Sequence, residues 1–307
     1  MNVIKTLPLA LLLAGSSGIA LADTPIRVTQ ALDANASVHL ANVSGEINVS
    51  GWDEERIEIT GSLGDGAKPL IIEGDEHDLR IRVEAAEKGG WLHWGSESHM
   101  KPTRLDVRLP RGVALDIDVV SANAQLTNLE GGKITIDSVS GRVSTEAHAS
   151  ALSVDSVSGN VAFRGTAATI DIETVSGDIA VPAAGNARTT LETVSGNVRY
   201  AGDATPAIEA SSVSGDLTIA TDVAPDGRLS IETMSGDVTL ELASDVSVTL
   251  RAKTFSGDIT SAFGQSREAE HGPGSSLETT LGNGDGSVRV ETFSGDVRIR
   301  ARDAHDS

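Results

Sequence analysis

The sequence predicts an all-β fold, a repetitive β-solenoid (β-helix-like) with coils of about 18–21 residues behind an N-terminal all-β portion. A short phrase, clearest at Ile172-Glu173-Thr174-Val175-Ser176-Gly177-Asp178-Ile179, recurs through most of the chain, for example as Asp137-Ser138-Val139-Ser140-Gly141 and Glu291-Thr292-Phe293-Ser294-Gly295. Its glycine falls at 141, 159, 177, 196, 215, 236, 257 and 295, at spacings of 18, 18, 19, 19, 21, 21 and 38. A period near 20 marks units that cannot bury an apolar face alone and must stack on their neighbours. Each unit holds two strand-like runs, such as 169–173 and 178–181, and helix-compatible windows are essentially missing.

In chain order, residues 1–22 read as a secretory signal peptide. Lys5 supplies a basic start, 7–14 an apolar run, and Ala20-Leu21-Ala22 a small-x-small cleavage site. Gly15-Ser16-Ser17-Gly18 interrupts the run well before the ~20 apolar residues that a membrane anchor needs, and no later segment is apolar enough to span a bilayer. The expectation is therefore an exported chain, periplasmic or at the cell surface, with no integral membrane span after cleavage. With no cysteine it has neither a disulfide nor a lipid-attachment site, so burial and backbone pairing must hold the fold.

Residues 23–112 form the expected N-terminal β region, with strand alternation in Ser37-Val38-His39-Leu40-Ala41-Asn42-Val43 and Arg56-Ile57-Glu58-Ile59-Thr60. Between these runs, Asn42-Val43-Ser44-Gly45 is an early copy of the phrase. A glycine-flanked loop, Lys88-Gly89-Gly90-Trp91-Leu92-His93-Trp94-Gly95-Ser96, interrupts the region. The repeat solenoid is expected over 113–300, with an inserted exposed loop at 262–287 and a frayed tail at 301–307.

The phrase carries its own geometry. Strand alternation puts Ile170, Ile172 and Thr174 on one face and Asp171 and Glu173 on the other. After Gly177 the parity flips, because Ile179 and Val181 are apolar and Asp178 faces out, so a corner or bulge is expected at Val175-Ser176-Gly177. Stacking would align equivalent residues into ladders. The row Val139, Val157, Val175, Val194, Val213, Met234, Phe255 and Phe293 is expected to fill an interior that widens towards the C-terminal end, and the serine and threonine rows are expected to hydrogen bond at the corner.

These features, namely the repeated T-V-S-G-D-I/V phrase, the signal peptide and the early Val49-Ser50-Gly51-Trp52-Asp53 unit, resemble the bacterial β-strand-repeat family labelled putative adhesin, domain-of-unknown-function 4097. The resemblance covers most of the mature chain. It implies an exported, β-solenoid-like envelope protein and carries no catalytic residues.

Charge narrows the partners. The chain has 24 Lys and Arg against 44 Asp and Glu, a net charge of −20. Nucleic acid and anionic lipid surfaces reward basic patches and are not expected; envelope or surface macromolecules, protein or polysaccharide, and cations or cationic peptides are. Acidic rows at Glu173, Glu192, Glu232 and Glu291, and at Asp178, Asp216, Asp237, Asp258 and Asp296, would repel along the stack. Asp216, Asp237 and Asp258 are the expected place for a calcium ladder, although the nonapeptide pattern of calcium-binding β-rolls is missing. Trp91, Trp94 and His93 are the candidate binding residues, since two tryptophans on a glycine-flanked loop offer stacking surface, the alternative being that the tryptophans cap the open end of the sheet interior. No His or Cys spacing fits a zinc site, and no cofactor is expected.

No serine of the repeat is singled out by a base, so a nucleophile is not expected. The chain is expected to be a non-catalytic envelope or surface protein, an adhesin or scaffold binding macromolecules over an extended β surface. The alternatives are an envelope-stress accessory protein that binds cations or cationic peptides and, behind it, a polysaccharide-active β-helix enzyme.

Overall fold

A computed structural model describes residues 24–86, 100–268 and 273–302. The expected signal peptide 1–22 and the glycine-flanked segment 88–96 lie outside the described residues, and part of 262–287 does too.

In the repeats inside the stack the two runs become two strands, each paired in parallel with its equivalent in the coils on either side, in register save for irregularities such as those in the second strand at Ala162/Arg164 and Val181/Ala184. Thr169–Ser176 lies between Ala151–Ser158 and Arg188–Ser195, which puts Ile172 level with Val154 and Leu191. Ile179–Ala184 lies between Val161–Thr166 and Val198–Gly202 on a second face. Ile170, Ile172, Ile179 and Val181 are fully buried, as their parity requires, and join one core that runs from Ile26 to Ile299. Burying each such side chain is worth about 1.5–3 kcal/mol, and this is realised only when both neighbouring coils are present.

The corner is made by glycine for a steric reason. A Cβ on Gly177 would run into the carbonyl oxygen of Gly159, and one on Gly196 into that of Gly177. Backbone therefore stacks directly on backbone through the corner, where the Gly177 N–H donates to the Ser195 carbonyl at 3.2 Å and the Ile179 N–H to the Asn197 carbonyl at 2.9 Å.

The N-terminal region belongs to the same stack. Ser37–Trp52 runs through both faces and pairs in register with Ala114–Glu130, so it forms one more coil. On its outer side it pairs with Asp78–Val83 on the first face and Thr103–Pro110 on the second. Antiparallel strands finish this end: Ile71–Gly74 on one face, then Arg56–Leu63 and Thr24–Ala31 on the other.

At the other end, order in space departs from order in sequence. Gly286–Ser294 slots in parallel between Val223–Ser235 and Val248–Ser256. The 262–287 segment is more than an exposed excursion: its strand Ser275–Leu281 pairs antiparallel with Val248–Ser256, and Leu277 is buried. The segment covers the outer edge of the first face and carries the chain back to fill the slot. Edge strands left bare are templates for aggregation, and antiparallel closure limits that hazard.

Candidate functional site

The expected interior valine ladder is overturned. Alternation from Ile172 continues unbroken to the corner, so Thr174 points in and Val175 points out. Val175 is 50% exposed, Val139 and Val157 match it, and Met234 and Phe293 reach 60% and 58%. The residues of the row stack in the spatial order Val120, Val139, Val157, Val175, Val194, Val213, Met234, Phe293, Phe255, because the Phe293 coil is the one slotted between its neighbours. Nine coils at a strand spacing of about 4.8 Å make an apolar stripe about 38 Å long on the outside of the stack. Exposed apolar side chains scattered singly need no explanation, whereas a contiguous stripe of this length does.

The stripe lines an open groove of about 1440 Å³. One flank is a row in register from coil to coil: Asp118, Asp137, Asp155, Glu173, Glu192, Ser211, Glu232, Glu291 and Lys253. The serines before the glycines, exposed from Ser158 onward, follow the stripe towards the corner. At the C-terminal end the rings of Phe255 and Phe293 stack, centroids 4.8 Å apart and 9° from parallel, and Pro273 and Gly274 close the groove.

Charge is uneven along this groove. From Asp118 to Glu192 five successive coils present a carboxylate. Burial, then the neighbouring Asp118, Asp155 and Asp116, push the Asp137 carboxyl up from its ordinary value; burial, then Asp155, Glu192 and Asp171, do the same for Glu173. Past Ser211 the acid row is relieved, since Arg289 pairs with Glu291 at 2.7 Å and Lys253 takes the last place. At the acidic end His39 bridges Asp116 (3.2 Å) and Asp118 (3.4 Å). Asp116, Asp118 and Asp137 bring their carboxylates within 4.8 Å of one another.

The hydroxyl row inside the corner is buried. Thr254 donates to the Gly295 carbonyl at 3.0 Å and Thr292 to that of Gly236 at 3.5 Å. Ser138, Ser156, Thr174, Thr193, Ser212 and Thr233 have hydroxyls with no hydrogen-bond partner among the described residues. Hydrogen bonding at the corner thus accounts for only part of the row.

The aspartates after the glycine have a structural use. Asp216 accepts the Asp237 N–H at 2.9 Å, Asp237 accepts the Asp296 N–H at 2.9 Å, and Asp296 accepts the Asp258 N–H at 3.1 Å. Asn197 and Asn160 accept in the same way from Asp216 and Asp178, which explains why asparagine interrupts the row without breaking it. Arg298 lies 2.7 Å from Asp237 and 2.9 Å from Asp296. The Arg298 guanidinium, followed by the Asp296 N–H, holds the Asp237 carboxyl below its ordinary value. Of the residues expected to form a calcium ladder, Asp216 and Asp237 are therefore already engaged as acceptors, and the Asp258 backbone is tied to Asp296. The expected binding residues Trp91, His93 and Trp94 lie outside the described residues.

Both rows that line the groove stand out in the sequence, but apolarity assigns the valine row to the interior, whereas counting the alternation past Ile172 assigns Val175 to the outer face.

A family model described as Toastrack DUF4097 matches residues 37–300. Among solved structures, a "putative lipid binding protein" from Parabacteroides distasonis is similar at 12% identity and a TM-score of 0.54, covering 90% of this chain and 97% of that one. A "putative adhesin" from Parabacteroides merdae is similar at 13% identity and a TM-score of 0.52, covering 91% of this chain and 100% of that one. At these identities the likeness shows a shared fold. No curated protein matches.

Proposed function

The chain belongs to the Toastrack DUF4097 family, and from that premise we propose that it is an exported, non-catalytic envelope or surface protein that binds macromolecules along the Val120–Phe255 groove. The observation that carries this reading is the half-exposed apolar row, repeated coil after coil where a solenoid concerned only with solubility would place polar residues. A stripe one residue wide and nine coils long suits many weak contacts with an elongated partner, which is how repeat proteins use their surfaces. The names adhesin and lipid binding protein given to structures of the same fold are in keeping with a binding role. Among the described residues no helix is long and apolar enough to cross a membrane. Export rests on the signal-like segment 1–22.

Adsorption of the purified mature protein to isolated cell envelopes, compared with a Val157→Ser/Val175→Ser/Val194→Ser variant, tests the reading. Binding by the native protein that falls at least about tenfold in the variant is the expected result, a loss of about 1.4 kcal/mol. Equal adsorption by the two proteins contradicts it.

A further inference from the structure

We infer that the groove receives a cationic amphipathic helix, laid along the stack with its Lys/Arg-rich half against the 118–192 coils and its bulkiest apolar residues against Met234, Phe293 and Phe255. This rests on the binding role proposed above and names the partner's chemistry.

Backbone pairing argues for the helix. Every strand under the middle of the groove is already hydrogen bonded on both sides, as Thr169–Ser176 is by its two neighbours. An extended peptide laid there would find no free edge to pair with, whereas a helix satisfies its own backbone groups and needs only a place for its apolar stripe. A length of about 38 Å accommodates about 25 helical residues at 1.5 Å each.

Sign and direction come from the charges. Asp118, Asp137, Asp155, Glu173 and Glu192 form an unbroken run beside the valine stripe, and burial together with mutual repulsion already pushes Asp137 and Glu173 towards protonation. A row of ammonium or guanidinium groups would relieve that repulsion. An anionic partner, or a second copy of this acidic face, would add to it. At the other end Glu232 and Glu291 continue the row, but Arg289 pairs with Glu291 and Lys253 takes the last place, and the wall becomes Met234, stacked Phe293 and Phe255, and Pro273. That end offers apolar area and little net charge, so a Trp, Phe or Leu cluster on the helix belongs there.

The test is calorimetric titration of the mature protein with two synthetic amphipathic helices of about 25 residues. One carries a leucine stripe with lysines in one half and a tryptophan pair in the other; its analogue has glutamate for lysine. The lysine peptide is expected to bind and the glutamate peptide not to. Glu173→Gln/Glu192→Gln and Phe255→Ala/Phe293→Ala are each expected to weaken binding at least about tenfold, with circular dichroism and melting confirming that both variants fold. A benzophenone placed beside the tryptophan pair should crosslink to the 234–293 coils. Equal binding of the two peptides, unchanged affinity in both folded variants, or crosslinking at the 118–157 coils overturns the inference.

Vesicles of neutral and of anionic lipid form a further arm. Adsorption that the valine variant abolishes, without peptide binding, overturns the helix and leaves the binding groove standing. If neither peptide nor envelope material responds to groove substitutions, both fall.

Discussion

Two rows run along the stack two residues apart: the corner glycines, whose place Ala122 takes in the Val120 coil and whose backbones touch from coil to coil, and the Val175 row, whose side chains project half into solvent. The first is fixed by sterics, since a side chain at Gly177 or Gly196 has no room against the neighbouring carbonyl. The second has no such constraint. Val175 is 50% exposed, and its place along the stack is taken by methionine and phenylalanine at Met234, Phe293 and Phe255 without disturbing the register. Repetition therefore has two causes in one phrase. A recurring residue can be a requirement of stacking, or it can be a surface written once per coil.

Substitutions separate the two causes. The largest loss is expected at the core beside the corner: Ile172→Ala, in a fully buried position, should cost about 2–5 kcal/mol in a denaturant titration. Gly196→Ala follows, at about 3 kcal/mol, because the new methyl group must push two coils apart. Asp216→Ala removes one acceptor from the inter-coil row and should cost about 1 kcal/mol, leaving the Asp237 N–H without its partner.

The smallest effect concerns pH. Burial and like-charged neighbours raise the Glu173 carboxyl in the folded state, so the native protein holds its proton more tightly than the unfolded chain does. Stability at this position falls as pH rises from the ordinary glutamate value through the raised one, and it stays lower above that window. Glu173→Gln should therefore be slightly more stable than the native protein at neutral pH, and the difference should vanish in acid. A melting series across pH checks the sign.

Much of the fold was legible in the sequence because parity is a local property. Ile170, Ile172, Thr174, Ile179 and Val181 all take the faces that alternation assigns them. The groove was missed because valine is apolar and recurs, which favours the core when hydrophobicity is weighed ahead of position. Thr174, two residues on from Ile172, already claimed the inward place. The order of the last coils was hidden for another reason: a spacing of 38 fixes how much chain lies between two glycines, while the pairing of Gly286–Ser294 between two earlier strands depends on long-range contacts. The part the aspartate row plays between coils was hidden too, because the backbone N–H groups that Asp216 and Asp237 accept come from other coils.

The most direct measurement of the central claim pairs stability with binding in one variant, Val157→Ser/Val175→Ser/Val194→Ser. Three half-exposed side chains are changed and no core side chain is touched, so each change should cost no more than about 1 kcal/mol and the variant should stay folded. Adsorption to envelope material should nonetheless fall at least about tenfold. A variant that fails to fold, or one that stays folded and binds as well as the native protein, would contradict the account.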